Sequence, residues 1–127
     1  MIQAEFVQHV SIPVTDLEKA KAFYRDVLGL AEIERPAFDF PGAWFAIGSQ
    51  QLHLIVHTPA KTLRGTTALD TRDGHFAIRI KDYDAAVKHF EASQVTFVAN
   101  PNNKTDWGQI FLTDPDGNVI ELNAFLR

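Results

Sequence analysis

Four residues of this sequence have side chains and spacing suited to binding a metal ion: His9, His53, His75 and Glu121. Nearly the same stretch of chain separates His9 from His75 as separates His53 from Glu121, so the four positions form two matched pairs. Neutral imidazole nitrogens combined with a carboxylate oxygen favour Zn, Ni, Mn, Co or Fe(II) over Ca. The sequence therefore predicts one bound divalent metal ion, whose identity among these metals is left open.

An internal repeat predicts the elements that position these residues. The segment HVSIPVTDLEKAKAFY (residues 9–24) aligns with HFAIRIKDYDAAVKHF (residues 75–90), which keeps the histidine, the alternating aliphatic residues and an aspartate in register. Two copies are too few for a solenoid, so we expect a duplicated half-domain whose copies pack together. Each copy has the pattern of a strand, a helix and further strands.

In the first copy, residues 6–14 alternate as in a half-buried strand, and a helix is expected over about 16–28. Thr15 and Glu18 form a capping-box pattern, and Gly29 is expected to end the helix. The remaining predicted elements are strands near 31–35, 43–47, 51–57, 75–80, 95–99, 109–113 and 119–125, and a helix over about 82–93. The predicted fold class is α+β, with two βαβββ modules in a single domain over 1–127: module one about 6–57, a connection about 58–73 and module two about 74–125.

The alternation of side chains along the predicted strands places the candidate ligands on one face. Because the aliphatic residues of strand 6–14 are expected to pack under the helix, His9 must point away from it. The same argument selects a set that faces away from both helices: His9, His53, His75, Arg79, Glu121 and Asn123. One histidine in an apolar strand is more often a hydrogen-bonded core residue than a ligand, but strand alternation and the repeat agree at all four candidate ligands. His57 and His89 lack this support and are expected to be solvated.

The composition excludes several classes of protein. The chain has 127 residues, a net charge of −4 and no cysteine, which excludes a disulfide framework, a thiolate zinc site, an iron–sulfur cluster and a cysteine nucleophile. Mild acidity without a Lys/Arg cluster argues against a nucleic-acid partner. No apolar run approaches about 20 residues, so no membrane span is expected. The N-terminal pattern does not suggest a signal peptide, so we expect a cytoplasmic protein with a small-molecule substrate.

The clearest family pattern lies in three segments: HVSIPVTDLEKAKAFYRDVLGL (9–30), GHFAIRI (74–80) and FLTDPDGNVIEL (111–122). They resemble the vicinal oxygen chelate superfamily, which includes glyoxalase I, fosfomycin-resistance enzymes, extradiol dioxygenases and bleomycin-resistance proteins. The resemblance covers residues 6–125. It implies that the modules form a cupped, partly open mixed-sheet barrel with the helices outside. It also implies a homodimer, often with sites built across the interface.

The resemblance implies metal ligation by His9, His75 and Glu121, in a metal-dependent enzyme of the glyoxalase/dioxygenase type. The reaction would be that of a lyase, isomerase, transferase or dioxygenase acting on a small oxygen-bearing organic substrate, with the metal stabilising negative charge on oxygen. His53 is expected to be a fourth ligand or a general acid/base, and Glu121 is the only available carboxylate base. The alternative is a non-catalytic small-molecule (antibiotic) binding protein of the bleomycin-resistance type, which holds its ligand without metal.

Further residues are candidates for contacting the substrate. Arg79 shares the strand face of His75, and a guanidinium presents two parallel donors to a carboxylate. Trp107, Phe111 and Phe45 lie near the expected inner strands, where aromatic side chains commonly line a ligand pocket. Ordinary core packing is the other interpretation of these three aromatic residues.

Overall fold

The computed structural model describes residues 1–126, which form two compact units that divide between Leu63 and Arg64. Each unit has the element order strand, helix, strand, strand, strand. The predicted α+β class with two βαβββ modules is therefore confirmed. Within the described residues, no helix has the length and apolar character of a bilayer-spanning segment.

The first unit contains β1 (His9–Val14), α1 (Leu17–Ala22), β2 (Ala31–Ile33), β3 (Gly42–Ile47) and β4 (Gln50–Val56). Its open sheet has the order β1-β4-β3-β2, in which β1 and β4 are parallel and the other neighbours are antiparallel. β1 begins later than the alternation of residues 6–14 predicts, and Phe6 and Val7 are exposed. The core packs between α1 and one face of the sheet, and its fully buried side chains are Val14, Ala20, Tyr24, Phe45, Leu52 and Leu54.

The second unit contains β5 (His75–Arg79), α2 (Tyr83–Ala92), β6 (Phe97–Asn100), β7 (Trp107–Thr113) and β8 (Val119–Phe125). Its open sheet has the order β5-β8-β7-β6, with β5 and β8 parallel and the other neighbours antiparallel. Six of the seven residues of β8 are buried, on both faces of the strand. The face of β8 that carries Glu121 is therefore covered by protein.

The two helices begin with the same capping arrangement. Asp16 has an extended backbone, and its carboxylate accepts a hydrogen bond from the Lys19 backbone N–H at 3.1 Å. Asp82 caps α2 in the same way, accepting from the Ala85 N–H at 3.0 Å. The prediction that Thr15 caps the first helix is therefore wrong by one position. An aspartate at this position satisfies an N–H group that the helix itself leaves without a partner.

The first helix changes its hydrogen-bonding pattern partway along. After α1, residues Phe23–Val27 form a π-helical segment, in which the Leu28 N–H donates to the Phe23 carbonyl at 3.0 Å. The wider turn keeps Phe23 and its neighbour Tyr24 both buried. Gly29 then takes a positive φ of 72° and ends the helical region, as expected. The expectation of a continuous α-helix to residue 28 is corrected accordingly.

The chain before β5 is hydrogen-bonded to the turn between β7 and β8. Arg64 donates to the Asp73 carboxylate and to the Gly117 carbonyl, each at 2.7 Å. Gly117 has a positive φ of 84°, and a Cβ there would overlap the Thr66 carbonyl. Only glycine fits this close approach without movement of the backbone.

Candidate functional site

In the first unit, β4 places His53 between two other aromatic rings on the sheet face opposite the buried leucines. Its imidazole is stacked on the Trp44 indole, with ring centroids 4.0 Å apart and an interplanar angle of 4°. On its other side lies the His9 imidazole, at 4.1 Å and 17°. Trp44 occupies the position on β3 directly opposite His53. We call Trp44, His53 and His9 the ring column.

Two glutamines are hydrogen-bonded to the imidazoles of the column. His53 Nε2 lies 2.8 Å from the Gln51 side-chain oxygen, and His9 Nδ1 is hydrogen-bonded to the side-chain oxygen of Gln8. With the amide oxygens facing the rings, these nitrogens donate, and the lone pairs of neutral imidazoles are on Nδ1 of His53 and Nε2 of His9. An amide turned over would donate through its NH₂ group and select the other tautomer. Both imidazoles thus keep one nitrogen that can bind a metal or accept a proton.

The surroundings of His53 favour its neutral form. Burial lowers the pKa of this imidazole below its ordinary value, and the charges of His9 and Arg35 lower it further. Arg35 itself packs beside Phe38 and Phe40 and donates to the Phe40 carbonyl at 2.9 Å. His53 is consequently an uncharged base at neutral pH.

In the second unit, four polar side chains of β5 and β8 form one hydrogen-bonded series. Arg79 Nε donates to Asn123 Oδ1 at 2.6 Å, and Asn123 Nδ2 donates to Glu121 Oε2 at 2.7 Å. The other oxygen of Glu121, Oε1, lies 3.3 Å from His75 Nε2. The parallel register of β5 and β8 aligns Arg79 with Asn123. We call Arg79, Asn123, Glu121 and His75 the polar chain.

The donor atoms of His75 and Glu121 have the chemistry of a cation site. His75 Nδ1 lies 2.8 Å from the Asp73 carbonyl, which can only accept, so the proton of a neutral His75 is on Nδ1. Its Nε2 lone pair then faces a carboxylate oxygen, and two such electron-rich atoms repel unless a proton or a metal ion lies between them. Two ligand atoms with bonds of about 2.0–2.2 Å to one zinc-like ion lie roughly 3.0–3.5 Å apart. The separation of 3.3 Å matches this spacing.

Two of the predicted substrate-contacting aromatic residues lie beside the polar chain. The Phe111 ring makes an edge contact with the His75 ring at 5.6 Å, and Phe111 is the cross-strand neighbour of Glu121. The Arg79 guanidinium lies 5.1 Å from the Trp107 ring and 4.2 Å from Phe125. Arg79 therefore contacts two aromatic rings, with Nε bonded to Asn123.

Phe45 lies on the other side of its sheet from the ring column. It is fully buried in the core and contacts Tyr24, with ring centroids 6.2 Å apart. Trp44, which the sequence reasoning did not select, takes the place beside His53. The deciding signal is the register of β3 on β4: Phe45 pairs with Leu52, whose face was expected to be packed, and this pairing puts Trp44 on the face of His53.

The structure brings the predicted ligands together as two pairs, one in each unit. His9 and His53 are in contact in the first unit, and His75 and Glu121 in the second. Within residues 1–126 there is no group of three His, Asp or Glu side chains placed to hold a metal ion. Of the other histidines, His57 is exposed at the end of β4 and His89 is exposed on α2.

Comparison with known proteins connects this arrangement to a family. Residues 6–122 match the model of the Glyoxalase/Bleomycin resistance protein/Dioxygenase superfamily. The chain is 31% identical to the uncharacterized protein YaeR of Escherichia coli (strain K12), over 96% of this chain and 98% of YaeR. It is 27% identical to a probable lactoylglutathione lyase of Vibrio parahaemolyticus, over 91% of this chain and 88% of that protein.

A solved structure of known description has a similar fold. TnmS3, an antibiotic binding protein from Streptomyces sp. CB03234, aligns with a TM-score of 0.78 and 27% identity, covering 98% of this chain and 99% of TnmS3. The resemblance inferred from the three sequence segments is confirmed, because the family model spans all of them. The chain belongs to the Glyoxalase/Bleomycin resistance protein/Dioxygenase superfamily.

Proposed function

We propose that this chain is a metal-dependent enzyme of the glyoxalase/dioxygenase type that acts on a small oxygen-bearing organic molecule. Members of the superfamily typically use a divalent metal. The observation that carries the proposal is the pair formed by His75 Nε2 and Glu121 Oε1, which lie 3.3 Å apart while His75 Nδ1 is bonded to a backbone carbonyl. A divalent cation between the two atoms would form a bond to each of them.

We propose His9, His75 and Glu121 as metal ligands in a homodimeric protein. His75 has the arrangement typical of a metal ligand, because its Nδ1 faces a backbone carbonyl and its Nε2 faces the Glu121 carboxylate, the other proposed ligand of this unit. His9 would supply a second imidazole. The donor set of imidazoles and one carboxylate suits Zn, Ni, Mn, Co or Fe(II).

We propose that His53 acts as the general acid/base. Stacking at 17° keeps the lone pairs of His9 and His53 in nearly parallel planes, so both cannot point at one nearby ion without rotation of a ring. His53 is neutral, and Nδ1 is the nitrogen that could accept a substrate proton. The alternative role of His53 as a fourth ligand requires that rotation. Glu121 is the one carboxylate that could act as a base if it left the metal.

The remaining residues of the polar chain and its aromatic neighbours would bind and orient the substrate. The Arg79 hydrogen bond to Asn123 uses only Nε, so the two-nitrogen edge of the guanidinium remains for a substrate carboxylate. Phe111 and Trp107 would line the organic part of the molecule. The metal, when bound, would supply a Lewis acid beside the substrate oxygen where negative charge develops.

Metal binding is the direct test of the proposal. The purified protein should bind one equivalent of Zn²⁺ or another of these metals, measured by elemental analysis and calorimetry after exchange from a chelator. His75→Ala should weaken binding by about a hundredfold or more, since substitution of groups that only support a ligand already costs about 10–100-fold. His57→Ala, at an exposed histidine outside the site, should bind as the unchanged protein does. A protein that takes up no metal above the background of a chelated sample would overturn the proposal.

A second candidate function is a non-catalytic antibiotic-binding protein, which the similarity to TnmS3 favours. The ring column adds a physical reason, because stacked flat rings suit a planar aromatic ligand. The two functions differ in their response to chelation. A binding protein would keep its affinity for such a ligand in excess chelator and would turn over no substrate, whereas the enzyme would lose activity on metal removal.

A further inference from the structure

We propose that Asn123 positions the metal-binding carboxylate of Glu121, and that Arg79 determines which way the Asn123 amide faces. This inference rests on the proposed metal site, and it assigns to Asn123 a role that involves no contact with the metal. The three side chains belong to one hydrogen-bonded series, with distances of 2.6 Å from Arg79 to Asn123 and 2.7 Å from Asn123 to Glu121.

The partners of the Asn123 amide determine the direction of its hydrogen bonds. The oxygen and nitrogen of an asparagine amide have nearly the same shape, and only their partners distinguish them. A guanidinium has donors only, so the Asn123 atom facing Arg79 Nε must be the oxygen. The amide nitrogen must then face Glu121, and Glu121 Oε2 must accept. Rotating the amide by half a turn would create two repulsive contacts, with NH₂ against the guanidinium and the carbonyl against the carboxylate.

The buried half of the series is held rigidly. Asn123 is 7% exposed and Glu121 is 6% exposed, so water has little access to compete for the bond between them. Arg79 is exposed, and its guanidinium lies 5.1 Å from the Trp107 ring and 4.2 Å from the Phe125 ring. Buried polar groups that are fully hydrogen-bonded have few alternative arrangements.

The hydrogen bond from Asn123 orients the Glu121 carboxylate. With Oε2 held by Asn123, the Glu121 carboxylate has one oxygen left, and that oxygen lies beside His75 Nε2. A ligand group already fixed in its bound orientation loses less conformational entropy when the ion arrives. Asn123 is therefore a positioning residue that increases metal affinity by holding one oxygen of Glu121 in place.

The test compares zinc affinity in three variants of the full chain. Asn123→Leu removes the donor, and we expect zinc affinity measured by calorimetry to fall by about 10–100-fold, as for other groups that orient a metal ligand. Asn123→Asp keeps the shape but offers only acceptors to Glu121, so the loss should be at least as large. Gln109→Leu is the matched control, since Gln109 is the cross-strand neighbour of Asn123 and its side chain bonds to Asn100 instead. The control should change the affinity by less than about twofold.

A measurement without metal separates this inference from the proposed function. In the chelated protein, the side-chain NH₂ signal of Asn123 in NMR spectra should shift in Glu121→Gln and in Arg79→Met, and Arg79→Lys should restore most of the unchanged position. Thermal unfolding in chelator checks that each variant is folded. If the unchanged protein binds no zinc, the proposed function fails and the NMR shifts alone decide whether Asn123 faces Glu121. Zinc binding by Asn123→Leu at the unchanged affinity, or an Asn123 signal indifferent to Glu121→Gln, would overturn the inference.

Discussion

The two units share one scaffold but present different chemistry on equivalent strands. Both have an aspartate N-cap, a parallel pair formed by the first and last strands, and a histidine at the start of the first strand. The first unit presents stacked aromatic rings on its sheet. The second presents a charged and hydrogen-bonded series around β8, which is buried on both faces. A duplicated fold can thus keep its core while the polar faces of its two sheets diverge. One face presents two imidazoles, and the other presents an imidazole with the carboxylate of Glu121.

The largest expected difference between the units is in the free energy of unfolding lost when the glycine of the turn before the last strand is replaced. Gly117→Ala should destabilise the protein by more than about 2 kcal/mol, because a positive φ disfavours a side chain by about 1–2 kcal/mol and the new Cβ would also overlap Thr66. Gly48→Ala is the matched change in the first unit. Gly48 has a φ of 57° but open space around it, so only the backbone cost of about 1–2 kcal/mol applies.

Urea unfolding of both variants measures this difference. Equal destabilisation at the two glycines would show that segment 64–73 is not closely packed on the β7–β8 turn. The two units would then not differ in how closely their last turns are packed.

The next effect concerns the protonation of His53. Trp44→Ala should raise the pKa of His53 toward its ordinary value of about 6.5, because the indole covers one face of the imidazole and burial is the main cause of the lowered pKa. NMR titration of the histidine side chains in chelated protein measures it. Trp107→Ala, in the other unit, should leave the His53 titration unchanged. An unaltered His53 pKa in Trp44→Ala would show that the column does not control this base.

The same shift predicts how the stability depends on pH. A histidine with a lowered pKa in the folded state binds its proton more weakly than in the unfolded chain. Its contribution to stability is therefore present above about pH 6.5 and is lost as the pH falls from there through the folded-state pKa. The pH dependence of unfolding should flatten in this range in Trp44→Ala.

The smallest effect concerns two surface ion pairs. Arg64 and the Gly74 N–H lower the pKa of Asp73, and Arg25 lowers that of Asp26. The stability from each lowered pKa is present above the unfolded value of about 3.9 and is lost as the pH falls through the folded value. Asp73→Asn should lower the melting temperature slightly at pH 7, and this difference should vanish in acid.

Asp26→Asn is the control, because Asp26 pairs with its own chain neighbour, whereas Asp73 orients an arginine that also holds the Gly117 carbonyl. The control should change the melting temperature less than Asp73→Asn does. The opposite order would show that the Arg64 contacts add no stability to the second unit.

Most of the fold was predictable because its signals are local. The alternation of apolar residues placed His9, His53, His75 and Glu121 on the faces opposite the packed residues, and the repeat gave the element order of both units. The cap was misplaced because Thr15 and Asp16 are adjacent and both suit an N-cap, and only the backbone conformation selects Asp16. The π-helical segment depends on the packing of Phe23 and Tyr24, for which residue types give no periodic signal.

The site was less predictable because its details depend on contacts between strands. The choice between Trp44 and Phe45 required the register of β3 on β4, which depends on where the turn begins. The role of Asn123 required the direction of each hydrogen bond, which depends on the proximity of Arg79 across two strands. The burial of Glu121, which has Phe111 and Ala77 at the paired positions on the neighbouring strands, also depends on how the strands come together.

The π-helical segment also has a consequence for changes of chain length. A π-turn contains one residue more than an α-turn, so deleting a single residue within Phe23–Val27 would leave a stretch able to continue as a regular α-helix. Because the wide turn absorbs the extra residue locally, the residues on either side of such a deletion would keep nearly the same orientation relative to one another. A relative that is one residue shorter in this segment is therefore expected to have a regular α-helix that still presents the flanking residues to the same sheet face.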